Sequence, residues 1–147
     1  MKGPVLGLDL GSRRIGLAIS DAEASIAFPS GHLVRHGLAR DLEALRALAE
    51  ERGVSCIVVG LPLHMNGRSG DAAEAARAFA RELAEATALP VETMDERWTT
   101  VEAERALRDA PHGRRVRKKE VVDAMAATLI LRTYLQARHA RPSGDEA

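Results

Sequence analysis

Aromatic side chains are scarce: one Trp, one Tyr and two Phe make up 3% of 147 residues. That excludes the stacking platform on which single-strand binders seat successive bases. Cysteine occurs once, at Cys56, within the apolar run Cys56-Ile57-Val58-Val59. A single thiol cannot close an internal disulfide, so the oxidised scaffolds of small secreted domains do not apply. Cys56 reads as a small core residue and fits a reducing, cytoplasmic setting. Neither sign of charge is in excess, since 21 basic side chains balance 21 acidic ones. A nucleic-acid partner would therefore have to be met by a local patch rather than a global field. No apolar run reaches the ~18–20 residues of a membrane span. Met1-Lys2-Gly3-Pro4 leads straight into a strand-like run, so no signal peptide is expected. The five histidines (His32, His36, His64, His112, His139) stand at no metal-ligand spacing, which argues against a cysteine–histidine metal site.

What is present is a globular profile, 46% apolar and 29% charged, in a length that suits one domain with one core. Residues 5–10 read as a buried strand, 11–14 as a turn and 15–20 as a second strand, which together predict a hairpin. A shorter third strand is expected at 32–35. Residues 38–52 have helical spacing, with Leu38, Leu42, Leu45 and Leu48-Ala49 on one face. Gly53 then ends the helix in the manner of a C′ glycine. A β-branched strand follows at 56–60, then a loop at 61–70 marked by Pro62, Asn66, Gly67 and Gly70. An alanine-rich helix is expected over 71–86 and a strand over 90–95. A further helix opens at Thr99, with Glu102 completing a capping box. Residues 109–117 form a basic loop, and a last helix runs from 118 to about 138. This order predicts an α/β fold: a five-stranded mixed sheet with helices on both faces. The domain is expected over 1–138, with a flexible tail over 139–147.

Three carboxylates stand out. Asp9 interrupts an otherwise apolar strand, where an ionised group is costly unless compensated; capping the Gly11 turn is the alternative. Asp123 is the one charge between Val121 and Leu131, and helical spacing sets it on a stripe with Ala126, Ala127, Ile130 and Tyr134. A carboxylate on that stripe points inward, and buried charges usually have a partner or a metal. Glu96 follows a strand, where ligands collect in α/β sheets, although by itself it reads better as an exposed acidic turn before the Thr99 cap. If Asp9, Glu96 and Asp123 converge at one sheet edge, they offer the oxygen donors that Mg²⁺ or Mn²⁺ takes. Such ions stabilise the attacking and leaving oxygens in phosphodiester cleavage.

Arg114, Arg115, Arg117, Lys118 and Lys119 put five cations within six positions just before Asp123. In a neutral chain this is the evident phosphate-binding segment, though Glu120 adds an acid to it. Arg13 and Arg14, after Asp9, could extend it. Gly11 and Gly16 have the spacing of a Walker loop, but Leu17 and Ala18 replace its lysine and hydroxyl, so a P-loop is rejected. Trp98 reads as a surface-plugging aromatic rather than a base-stacking one.

The chain resembles the YqgF (RuvX) family of Holliday-junction-resolvase-like proteins. Four motifs carry the likeness: Gly7-Leu8-Asp9-Leu10-Gly11-Ser12-Arg13-Arg14-Ile15-Gly16-Leu17-Ala18; Val58-Val59-Gly60-Leu61-Pro62-Leu63-His64-Met65-Asn66-Gly67; Asp95-Glu96-Arg97-Trp98-Thr99-Thr100-Val101-Glu102-Ala103; and Lys119 through Asp123-Ala124-Met125-Ala126-Ala127-Thr128 to Tyr134-Leu135. The resemblance implies a ribonuclease H-like fold, with Asp9, Glu96 and Asp123 at the positions of the acidic metal-binding residues. It implies a nuclease that processes the 5′ end of precursor 16S ribosomal RNA, with ribosomal precursor particles as a partner; a monomer or a homodimer is expected. Branched DNA is the alternative substrate. Two other classes compete: a non-catalytic nucleic-acid-binding module, and a kinase-like ATPase suggested by Asp9-Leu10-Gly11-Ser12, for which the chain is too short to supply two domains.

Overall fold

The computed structural model describes residues 3–61, 70–95 and 118–140, with side chains in the last segment from 124 to 139. Five strands are present among them: β1 (Val5–Leu10), β2 (Arg14–Ser20), β3 (Ala27–Val34), β4 (Cys56–Leu61) and β5 (Val91–Asp95). Three helices accompany them: α1 (Leu38–Arg52), α2 (Asp71–Thr87) and α3 (Lys118–Ala140). The helix expected from Thr99 lies outside the described residues.

The strands form one sheet in the order β3-β2-β1-β4-β5. The β1–β2 and β2–β3 steps are antiparallel, as short connections dictate. The β1–β4 and β4–β5 steps are parallel, because α1 and α2 carry the chain back across the sheet. Alternation along each strand divides the core in two. Leu6, Leu8, Ile57 and Val59 face Leu45 of α1 and Phe79 and Leu83 of α2. Val5, Ala18, Cys56 and Val58 face Ala127, Ile130, Leu131 and Tyr134 of α3 on the other side. Helices thus cover both faces, as the element order implies.

Most boundaries agree to within a residue, and three features differ from expectation. β3 spans eight residues rather than four. It is an edge strand whose Pro29 and Gly31 break the alternating pattern, and its pairing with β2 is irregular between Gly16 and Ala18. In α1, Leu38 is 48% exposed, and the buried stripe is Asp41, Leu45 and Ala49. The last helix, expected to end near 138, continues to Ala140, and His139 Nε2 lies 2.7 Å from the Ala24 carbonyl, anchoring the helix end to the β2–β3 loop; residues 141–147 lie outside the described residues. Gly53 does end α1 in the left-handed region, φ 64°, with its amide bonded back to the last turn.

Candidate functional site

Asp9 lies one residue from the end of β1 and is half-buried. Val5 belongs to the α3-side core, and Gly7 meets α3, so alternation sets Asp9 on that same face. Its antiparallel partner on β2 is Gly16. On the other flank, Leu8 pairs with Val59, and Gly60 is the next residue of β4. Asp9 is therefore bordered on both neighbouring strands by glycines.

The helix above is held by close packing. A Cβ added at Gly7 would stand 2.9 Å from Leu131 Cβ and 3.2 Å from the Ala127 carbonyl oxygen. Ala127, Ile130 and Tyr134 are buried, as the stripe reading requires, while Ala126 is half-buried. Tyr134 lies over the start of β4, at Cys56. Cys56 pairs in register with Val5. Leu131 and Ala127 lie over Gly7, so α3 runs towards its N-terminus as β1 runs towards Asp9. Backbone position 123 is one turn before Ala127, about 6 Å along the axis. Asp9 is two strand residues beyond Gly7, a similar distance.

The remaining expected positions fall as follows. Glu96, Arg114, Arg115 and Arg117 lie outside the described residues. Lys118, Lys119 and Asp123 are on α3 before the first described side chain. Arg13 is exposed and Arg14 half-buried on the β1–β2 turn. That turn closes through Gly11 N–H donating to the Arg14 carbonyl at 2.8 Å. Any Cβ at position 11 would come within 2.6 Å of that oxygen, so glycine is required there. Among the described residues, no three His, Cys, Asp or Glu side chains group closely enough to hold a metal ion; Asp9 is the single expected ligand whose side chain is described.

Two polar clusters went unread in the sequence. Asp41, 2% exposed, accepts the His36 amide at 2.9 Å and lies 3.4 Å from Arg35 Nε. Its signal was its place on the Leu45–Ala49 stripe. On the α3 face, the Tyr134 hydroxyl donates to Glu92 Oε2 at 2.5 Å, and Cys56 Sγ lies 3.7 Å from the same hydroxyl. Burial, ahead of every other influence, pushes both the Cys56 thiol and the Tyr134 phenol up from their ordinary values.

A family model described as RuvX, Holliday junction resolvase, matches residues 3–137. The chain belongs to the RuvX family. A Chloroflexus aurantiacus relative named "Putative pre-16S rRNA nuclease" is 46% identical over 140 residues, covering 95% of this chain and 90% of that one. A Moorella thermoacetica relative of the same name is 48% identical over 131 residues, covering 89% and 93%. Among solved structures, Thermus thermophilus RuvC in complex with a Holliday junction substrate superposes with a TM-score of 0.59 at 16% identity, covering 93% of this chain and 96% of that one. Fowlpox virus resolvase, in complex with substrate Holliday junction DNA, gives 0.54 at 7% identity, covering 92% and 98%. At these identities the likeness shows the fold, which is ribonuclease H-like as the RuvX motifs imply. No helix among the described residues is long and apolar enough to cross a membrane.

Proposed function

We propose that this RuvX member is a divalent-metal-dependent nuclease acting on structured nucleic acid in the cytoplasm. Its favoured substrate is the 5′ end of precursor 16S ribosomal RNA, in ribosomal precursor particles. The observation that carries the reading is Asp9: a carboxylate on the α3 face of the sheet, bordered by Gly16 and Gly60. Carboxylate oxygen is the donor that Mg²⁺ and Mn²⁺ prefer.

Asp9, Glu96 and Asp123 would hold the ion. Position 123 stands one turn before Ala127 on the stripe that packs over β1. In β5, Met94 packs on the α3 side and Glu92 meets Tyr134 there, so the strand that precedes Glu96 in the sequence faces the same side of the sheet as Asp9. Bound there, the ion supplies Lewis acidity towards a phosphodiester oxygen and the attacking water. Arg13, Arg14, Arg114, Arg115, Arg117, Lys118 and Lys119 neutralise phosphates, which sets register on the substrate and a salt-dependent affinity. The names of the relatives favour RNA, whereas that of the family favours junction DNA.

The test is cleavage of a precursor 16S ribosomal RNA fragment and of a four-way DNA junction, each with Mg²⁺ or Mn²⁺. Wild type is expected to cut the RNA at a defined 5′ position, and Asp9→Asn and Asp123→Asn to abolish cutting. Preferential junction cleavage, with a dimer in solution, would reassign the substrate. Cleavage in excess chelator, or unchanged rates in both variants, would overturn the mechanism.

A further inference from the structure

The β1–β2 turn is held from outside by one side chain. The Arg35 backbone N–H donates to the Arg13 carbonyl at 2.9 Å. Arg35 Nη1 donates to the Gly11 carbonyl at 2.8 Å. Its Nε faces Asp41 Oδ2 at 3.4 Å, and its guanidinium carbon lies 5.6 Å from the centre of the Phe79 ring. Asp41 is itself fixed at the start of α1 by the His36 amide. One residue thus ties the turn to α1 and α2 and engages two of the turn's carbonyls.

We propose that Arg35 is a positioning residue for nucleic-acid binding, holding the turn so that Arg13 and Arg14 meet the phosphate backbone with little loss of freedom. The proposal rests on the nuclease reading above. Phosphate contacts fix a protein's register on nucleic acid, and a contact already ordered in the free protein loses less conformational entropy on binding. The forked guanidinium suits Arg35 to this task. It bonds Gly11 and faces Asp41 through different nitrogens, while lysine offers a single charged point. Charge alone would survive Arg35→Lys; the bridge would not.

The experiment measures affinity of the full chain for a labelled precursor-RNA stem and for a four-way DNA junction in chelator, across a salt series, alongside thermal melts. Wild type is compared with Arg13→Gln, Arg35→Lys, Arg35→Met and the double variant Arg13→Gln/Arg35→Lys. Arg13→Gln should weaken binding and lower the slope of log affinity against log salt by about one. Arg35→Lys should weaken binding by a similar factor, and the double variant should be no weaker than the weaker single. Hydrogen exchange on wild type adds a readout that needs no variant to fold: the Gly11 and Arg35 amides should be protected to the level of β1. Wild-type affinity in both Arg35 variants, multiplicative losses in the double variant, or rapid exchange at those amides would overturn the brace. If wild type binds while Arg13→Gln is silent, the proposal fails and the nuclease reading stands. If wild type binds neither nucleic acid, the nuclease reading itself falls.

Discussion

Gly7 of β1 lies directly beneath Leu131 of α3, so closely that a single added carbon would reach 2.9 Å from the leucine Cβ. Contact between that strand and helix sets the height of α3 over the sheet. It therefore sets how near backbone position 123 comes to Asp9. The glycine serves packing here rather than an unusual backbone angle.

Gly7→Ala should accordingly lift or tilt α3. Overpacking of this kind costs about 1–3 kcal/mol, read as a lower midpoint in urea. The diagnostic result is a fall in cleavage rate below the melting temperature, larger in proportion than the loss of stability, because the helix bearing Asp123 is displaced from Asp9. A Gly7→Ala variant with wild-type activity and midpoint would show that the contact is not limiting.

The Cys56–Tyr134–Glu92 cluster makes stability fall on the alkaline side. Burial pushes the Cys56 thiol up from its ordinary 9.0. Burial, then the bond to Glu92, pushes the Tyr134 phenol up. The folded chain therefore keeps both protons at pH values where the unfolded chain releases them. This stabilisation is complete below about pH 9 and declines as pH rises towards the folded-state values. Urea midpoints from neutral to about pH 11 should show that decline, and Cys56→Ala and Tyr134→Phe should each flatten it. At neutral pH, Tyr134→Phe removes the Glu92 donor and should cost about 1–2 kcal/mol.

The same burial makes Cys56 chemically quiet, since the thiolate is the nucleophile. Native protein at neutral pH should resist alkylation by iodoacetamide over hours, and unfolded protein should react fully, as followed by intact mass. Rapid labelling of the native chain would mean that α3 opens over β4.

Much of the fold is legible in the sequence where hydrophobic periodicity meets a clear stop signal. β1 and α1 have the expected limits, and Gly53 adopts the left-handed cap that its position suggests. β3 is not legible because an edge strand has no need of buried alternation, and Pro29 and Gly31 interrupt it. Leu38 reads as buried yet is exposed, while Asp41 takes the inward place because Arg35 and the His36 amide satisfy its carboxylate. In the candidate site, Asp9 stands out because a charge in an apolar strand requires a reason. The flanking glycines and the Arg35 brace do not, because both depend on strand register. The case for Asp123 and Glu96 is made in the sequence, since Glu96 and the Asp123 side chain lie outside the described residues.

Neutralising the basic segment should reveal its share of the phosphate contacts. Arg114→Gln with Arg115→Gln should lower the slope of log affinity against log salt by about two. Specificity between the RNA stem and the DNA junction should stay unchanged, because phosphate contacts carry no sequence information. An unchanged slope would remove the segment from the interface.

On the proposed function, Asp9 holds the ion on which cleavage depends. That role is tested most directly by the cleavage rate of precursor 16S ribosomal RNA across a Mg²⁺ titration, for wild type and Asp9→Asn at equal folded fraction. The expected result is a loss of more than about 100-fold, beyond that from removing a group that merely orients a ligand, and one that added Mg²⁺ does not restore. A rate within twofold of wild type at every Mg²⁺ concentration would contradict it.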